Sequence, residues 1–473
     1  MRLPILRAAA ILGGAMLLAG CQTLLPGGGM TPVAKFAGEE LGQDVSAIRN
    51  EDDAARVRTA VAGLLKRPMT ADTAVHIALL NNRRLQAAYN ELGLAEADRL
   101  AASLPPNPVL SLSRIKGSGE LEIERRIVAD ILALATLPAR ADIAADRFRQ
   151  AQLRAVVDTI RVAMDARRAW YRAAAANELV GFLTEAQSAA EEAAQIAQRL
   201  GETGALNKLD QAREQVFYAD IGTQTAAARL AAANERERLI RVLGLWGSET
   251  AFRLAVLPVM PGRPKSLPSI EVDAVRRRAD LQLERIEVIA QAKRYGLTEA
   301  TRFVHLVELG GVSKTTRSPD GEKIRQRGFE VDVEIPIFDF GQARMHEAEQ
   351  LYMQAVNRLL AKATDVRSEA RQAYRTYRAA YDIASHYQRE VLPLRKIISD
   401  ETLLRYNAMQ IDVFSLLAEA RQRIAATVSA IEARRAFFIA EADLFAALTG
   451  GGMTETASPS LNTASTTGQA AGH

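Results

Sequence analysis

The chain is short of the residue types that staple folds or carry chemistry. One of its 473 residues is cysteine, which excludes an internal disulfide and any multi-cysteine metal site. Five histidines (His76, His305, His346, His386, His473) are scattered, with no paired metal-ligand spacing. Phosphate-loop, nucleophile-elbow and dinucleotide-binding glycine patterns are absent. Converging carboxylates and a nucleophile with its base are also missing, so the chain reads as a non-enzyme with no cofactor and no metal. Aromatics are 5% and much of the 48% hydrophobic share is alanine. That balance excludes a large aromatic core and favours long, closely packed helices. Lys plus Arg is 60 against 56 Asp plus Glu, spread along the chain, which leaves no nucleic-acid footprint. Past the first residues no run of 18 is apolar, so no helix spans a bilayer, and any spanning part must be a closed β-barrel.

What is present begins at the N-terminus. Arg2 and Arg7 lead into an uncharged, mostly apolar run over residues 8–20. It is shorter than the roughly 20 residues a mature transmembrane helix needs and suits a signal peptide. It ends Leu18-Ala19-Gly20-Cys21, which resembles a bacterial lipoprotein box. In such a box the cysteine is acylated and becomes the first mature residue, and here the only cysteine holds that place. Gln22 stands where an aspartate would signal inner-membrane retention, so the resemblance implies a lipid-anchored outer-membrane protein. An ordinary signal peptide with a chance cysteine is the alternative.

The rest is written twice, about 200 residues apart. Asn81-Asn82-Arg83-Arg84-Leu85-Gln86 aligns with Arg277-Arg278-Ala279-Asp280-Leu281-Gln282, and Pro138-Ala139-Arg140 with Gln342-Ala343-Arg344. Ala169-Trp170 aligns with Ala373-Tyr374, and Leu243-Gly244 with Leu448-Thr449. Each copy predicts a medium helix (71–103; 272–300), two extended segments (109–115 and 120–127; 303–312 and 328–337) and a very long helix (139–200; 342–406). A turn (201–204; 407–410) and a return helix (206–243; 413–448) close it. At 1.5 Å per residue the long helices reach about 90 Å, which suits a tube or stalk.

Phe329, Val331, Val333, Ile335 and Ile337 alternate with Glu330, Asp332 and Glu334, and Glu120, Glu122 and Glu124 alternate with Leu121 and Ile123. Period two with one apolar and one acidic face is the pattern of a transmembrane barrel strand. A half-buried strand of a soluble sheet shows it too. After the lipobox and beside such helices, the barrel is the stronger reading, with those six acids facing its lumen. Runs such as Ala173–Ala176 read as helix packing, Met345 and Met353 as core fillers, and Arg276–Arg278 as a solvated face.

Together these residues resemble the TolC-like outer-membrane efflux proteins, specifically the lipidated outer-membrane factors, over about 69–450. The duplicated Asn81–Gln86 segment and its echo, the junction Pro336-Ile337-Phe338-Asp339-Phe340-Gly341-Gln342 and the tip sequences 199–204 and 405–408 carry the likeness. The resemblance implies a mainly α chain in two repeats. As a homotrimer it would give a 12-stranded barrel above an α-helical periplasmic tunnel. Independently, four strands cannot close a barrel, so partner chains are required. The organisation expected is 1–20 signal peptide, 21–68 anchored extension wrapping the tunnel and 69–248 first repeat. A linker over 249–268, a second repeat over 269–450 and a disordered tail over 451–473 complete it. The implied function is a passive exit duct of a tripartite pump for small toxic compounds or ions, with a periplasmic adaptor, an inner-membrane transporter reached indirectly, and outer-membrane lipid as partners. Type I protein secretion and a non-conducting coiled-coil stalk are the alternatives.

By the same likeness, Gly201 and Gly204 turn the first tip, Asp210 forms a constriction ring, and Arg405 and Tyr406 make interhelical contacts of a closed mouth. Met409 replaces the expected glycine, and Ser415 stands where an aspartate is frequent, with Asp412 nearby. The N-terminal reading is tested directly. Cys21→Ala should abolish incorporation of a palmitate analogue in the membrane fraction, and persistent labelling would rule the lipobox out.

Overall fold

The computed structural model describes residues 27–204, 206–304, 306–334 and 338–452. Cys21, Ile335, Ile337, the signal-peptide stretch and the tail from 453 lie outside them. The elements are α1 (Thr31–Phe36), α2 (Glu51–Leu65), α3 (Ala71–Asn81), α4 (Arg83–Ser103), β1 (Val109–Gly117), β2 (Glu120–Asp130), α5 (Ile131–Ala135), α6 (Leu137–Glu202) and α7 (Lys208–Leu243). After them come α8 (Ile270–Arg277), α9 (Ala279–Ala300), β3 (Val307–Arg317), β4 (Lys323–Val333), α10 (Gln342–His386), α11 (Leu392–Asn407) and α12 (Val413–Thr449). Contacts gather the described residues into two compact units, 27–163 with 240–253 and 278–366, and 164–239 with 254–277 and 367–452. Each unit draws on both sequence repeats.

The medium helix of each copy is broken, not continuous as expected. Asn82 leaves the helical region at ψ 115°, and its side chain accepts from the backbone N–H of Arg84 and Leu85, capping α4. The amide nitrogens of Asn81 and Asn82 donate to the carbonyls of Leu243, Gly244 and Val242 at the end of α7. One dipeptide therefore starts one helix and closes another, satisfying orphan groups at both ends. Gly244 is needed here. Its φ is +69°, and a Cβ would come 2.8 Å from the Asn81 carbonyl oxygen. The second copy breaks at the aligned residue, Arg278, with ψ 118°. Arg278 is fully buried and forks onto Asp280 at 2.9 and 2.6 Å, with Lys362 on the same carboxylate at 2.8 Å. It is thus a structural ion pair and not part of a solvated face.

The four strands belong to the first unit, in the antiparallel order β1-β2-β3-β4. Ser118 and Gly119 join β1 to β2 with φ +52° and +84°, the two-residue turn whose twist matches its strands. The strands of the second copy are displaced from expectation, running 307–317 and 323–333. Their charged and threonine-rich ends extend to the turn at Pro319-Asp320-Gly321, where composition hid them. The lower ends stop earlier. Phe303 belongs to the turn after α9, and Glu334 lies just beyond β4. The chain before α3 lies against α4 and α6 through Gln86, which holds Ser46 and Ile48, and Gln152, which holds Gly29.

The second unit is built on α6, α7, α10, α11 and α12. Ala173, Ala174, Ala175 and Ala176 are buried, as close helix packing requires. Aromatics concentrate at one level. Tyr171 stacks on Phe438 at 5.0 Å, and Phe437 meets Tyr377 and Tyr381. Tyr377 and Tyr381 also hold the connection before α8, through Lys265 N–H and the Gly262 carbonyl. The long helix expected over 342–406 is interrupted by a π turn at Tyr387–Val391. Pro393 has no N–H for the carbonyl four residues back, and the wider turn absorbs the defect. Met353 is 45% exposed, so it is not the core filler expected.

Arg168 is 2% exposed and donates to Asp443 at 2.6 Å and Asp165 at 3.0 Å. Burial pushes the Asp443 carboxyl up, against the pull of Arg168. Removing one partner of a buried pair strands the other charge. Asp443→Ala is expected to cost about 3 kcal/mol in chaotrope unfolding. Asp165→Ala, at the exposed side of the pair, should cost no more than about 1 kcal/mol. Equal losses would show that burial does not set the energy of this pair.

Candidate functional site

Side chains directly opposite one another in an antiparallel sheet share a face, so the register sorts the strands into two surfaces. One face carries Glu120, Glu122, Glu124 and Asp130 of β2, Glu308 of β3, and Glu330 and Asp332 of β4. Two bases lie among these seven acids. Lys314 pairs with Glu122 at 2.6 Å, and Arg126 reaches over β3 to Glu330 at 3.0 Å and Asp332 at 2.7 Å. Gly310 opens that path on β3, where a Cβ would sit 3.7 Å from the Glu330 Cβ. Five of the six acids expected on one face are thus on it, and Glu334 lies outside the strand.

The other face changes character along the strands. Nearest the hairpin turns, the row of Lys116, Leu121, Arg317 and Lys323 is followed by Arg114, Ile123, Thr315 and Arg325, then by Leu112, Arg125, Ser313 and Arg327. The next rows carry no charge: Leu110, Ile127, Gly311 and Phe329, then Ala129, Leu309 and Val331, then Val307 and Val333. These apolar side chains stand in the open, Phe329 at 82% and Leu110 at 71% exposure. Arg125, Arg325 and Arg327 therefore lie on the face away from the acids, whereas Arg126 stands among them. At the helix end of the sheet Phe303, Phe338 and Phe340 are exposed. The strand-to-helix junction closes there on Gly341, whose φ is +75° and whose Cβ would meet the Arg302 carbonyl at 2.7 Å.

The tips of the helical hairpins lie in the second unit and share one frame offset by 205 residues. Asn207 accepts from the Asp210 N–H at 2.9 Å and donates to its carboxylate at 2.6 Å. Asp412 takes the Asn207 place, accepting from Ser415 N–H at 2.9 Å and Ser415 Oγ at 2.7 Å. These bonds, the backbone one first, hold the Asp412 carboxyl below the usual carboxylate range. Its capping is therefore complete above the ordinary aspartate pKa of about 3.9 and is lost as pH falls through the lower folded value. Asp210 is 8% exposed, within its own chain's cap.

Of the two tip glycines only Gly204 supplies a positive φ, +76°; Gly201 is helical and leaves room for Gln211, 2.7 Å from where a Cβ would lie. Met409 holds the Gly204 place at φ +56° and is 94% exposed. Arg405 pairs with Glu401 of its own helix at 2.9 Å, not across helices, and Tyr406 gives its carbonyl to the Met409 N–H.

Two residues escaped sequence reading. Glu214 is 3% exposed with no hydrogen-bond partner for either carboxylate oxygen, and burial pushes its carboxyl up against the pull of Arg421. Glu419, 205 residues on, is 9% exposed and holds Arg395 with one oxygen at 3.2 Å. The signal was there in the repeat, as each glutamate follows its helix cap by seven residues.

No family model and no curated protein matches the chain. Solved structures do. A CusC crystal structure, described as forming a transmembrane channel, superposes with TM-score 0.68 at 19% identity, over 81% of this chain and 92% of that one. The Campylobacter jejuni CmeC outer-membrane channel gives 0.66 at 17%, over 81% and 86%. The open Neisseria gonorrhoeae MtrE outer-membrane channel gives 0.65 at 13%, over 80% and 88%. The chain has the fold of these channel proteins, as its resemblance to the TolC-like proteins implies.

The tip geometry makes a prediction. A left-handed methionine costs about 1 kcal/mol that glycine does not pay. Met409→Gly should raise unfolding stability by about 0.5–1 kcal/mol and Gly204→Ala should lower it by about 1 kcal/mol. Destabilisation by Met409→Gly would contradict the strain argument.

Proposed function

We propose, from the fold of outer-membrane channels, that the chain is the exit duct of a tripartite efflux pump and passes small toxic compounds or ions outward without energy of its own. The observation that carries this reading is the sheet. Its apolar face is exposed and its outer edges, on β1 and β4, have no neighbouring strand among the described residues. An open edge is not tolerated in lipid, and four strands are too few to close. Three chains supply twelve strands and remove every edge. The repeats over 69–248 and 269–450 then each give one hairpin, with 249–268 linking them. A non-conducting stalk leaves the apolar face unexplained.

In this assembly the acidic face lines the lumen, Cys21 is acylated at the outer membrane, and the helical tips meet a periplasmic adaptor that connects to an inner-membrane transporter. Asp210 rings the mouth in this reading, with Asp412 and Ser415 giving the second tip a different chemistry. Protein solubilised in detergent should run as a trimer, and a monomer retaining full β-content would sink the barrel. Seven acids and two bases per chain favour cations in a pore. Reversal potentials in a KCl gradient should show cation preference, and anion preference would refute the lumen assignment.

A further inference from the structure

The basic rows of the sheet have no role in the duct. Seven Lys and Arg side chains occupy the three rows nearest the hairpin turns, on the face opposite the acids. All seven are exposed, and none has an ion-pair partner among the described residues. No acid shares those rows; acids return only in the turn itself, at Asp320 and Glu322. The boundary is sharp. One row farther from the turns the face becomes uncharged and stays so to the end of the strands. Charge of one sign on a surface continuous with an apolar band fits a boundary between hydrocarbon and an anionic layer.

We propose that these rows bind the phosphate groups of phosphorylated glycolipid in the outer leaflet. The proposal rests on the barrel reading, in which the apolar face meets lipid and the hairpin turns point outward. The strand register then sets the depth. Same-face rows are about 6.7 Å apart along a strand, so the basic rows span about 13 Å, the scale of a headgroup layer. Exposed phenylalanines at the other end of the sheet fit the opposite interface, where aromatic side chains sit. Arginine supplies five of the seven, and its planar fork suits phosphate oxygens. Arg125 and Arg327, in the deepest basic row, adjoin the uncharged rows, and a long side chain can extend from there to the same layer. Free phosphate lacks the acyl chains that the adjoining apolar rows would cover, so the surface fits a lipid and not a soluble anion.

The experiment uses the full-length protein in nanodiscs. One set contains bis-phosphorylated lipid A in phosphatidylcholine, a second the dephosphorylated lipid A, and native mass spectrometry counts retained lipid. The variant is Lys116→Gln, Arg125→Gln, Arg325→Gln and Arg327→Gln combined. Wild type should retain phosphorylated lipid A over the dephosphorylated form, with excess inorganic phosphate failing to displace it. The variant should lose that preference by at least about tenfold while remaining trimeric and conducting. A trimeric, conducting variant that keeps the preference overturns the proposal and leaves the duct standing. Displacement by inorganic phosphate overturns it in favour of a simple anion surface. A wild type that neither trimerises nor inserts overturns it together with the barrel reading.

Discussion

Everything in the first unit answers to one constraint: four paired strands whose hydrogen bonds and apolar surface both remain unfinished within the chain. Among the described residues, backbone groups on the outer sides of β1 and β4 have no strand to bond, and the uncharged rows from Leu110 to Val333 have no core to cover. Two hairpins of this length gain little by themselves in water. In the same unit, the corner made by Asn81, Asn82 and Gly244 fixes the helix break of the first repeat, and the buried Arg278–Asp280–Lys362 cluster surrounds that of the second. The two solutions differ chemically: at the aligned residue Asn82 caps its helix with a neutral side chain, whereas Arg278 makes no side-chain cap and is held by an ion pair.

Much of this was legible in the residues. The long helices, the turn positions and the alignment of the two copies follow from periodicity and self-comparison, because each is a local signal repeated twice. The breaks themselves were not foreseen. A helix-to-helix corner at Asn82 or Arg278 looks like continuous helix until a distant carbonyl or carboxylate claims the side chain. Strand limits failed for a related reason. Lys323 to Arg327 carry strand pairing through backbone bonds alone, while their side chains advertise a loop. The burial of Arg278 is likewise invisible without Lys362, which lies in another helix.

The two tips show how a duplicated frame drifts. The cap survives in both, but its acid moved from the third helical position, Asp210, to the cap itself, Asp412. The left-handed turn residue survives as geometry in Met409 after the glycine is gone. What stayed most alike is the pair that sequence reading passed over, Glu214 and Glu419, both buried just inside the turn. Each tip is therefore an own variant of one design, and a threefold assembly would present two kinds of hairpin in alternation.

The central ladder also dictates an order of events. Each hairpin closes locally, β1 onto β2 through a two-residue turn. The pairing of β2 with β3 joins residues such as Leu121 and Arg317, which the whole first helical excursion separates. Closing so large a loop costs about 4 kcal/mol more entropy than closing a tight turn, and that cost precedes any reward from the ladder. The sheet is consequently the slow step, completed only after α6 and α7 have brought their ends together. A chain halted midway through synthesis would carry one hairpin, its apolar side bare and its inner strand awaiting a neighbour not yet made, which is the form in which such a polypeptide is most prone to aggregate.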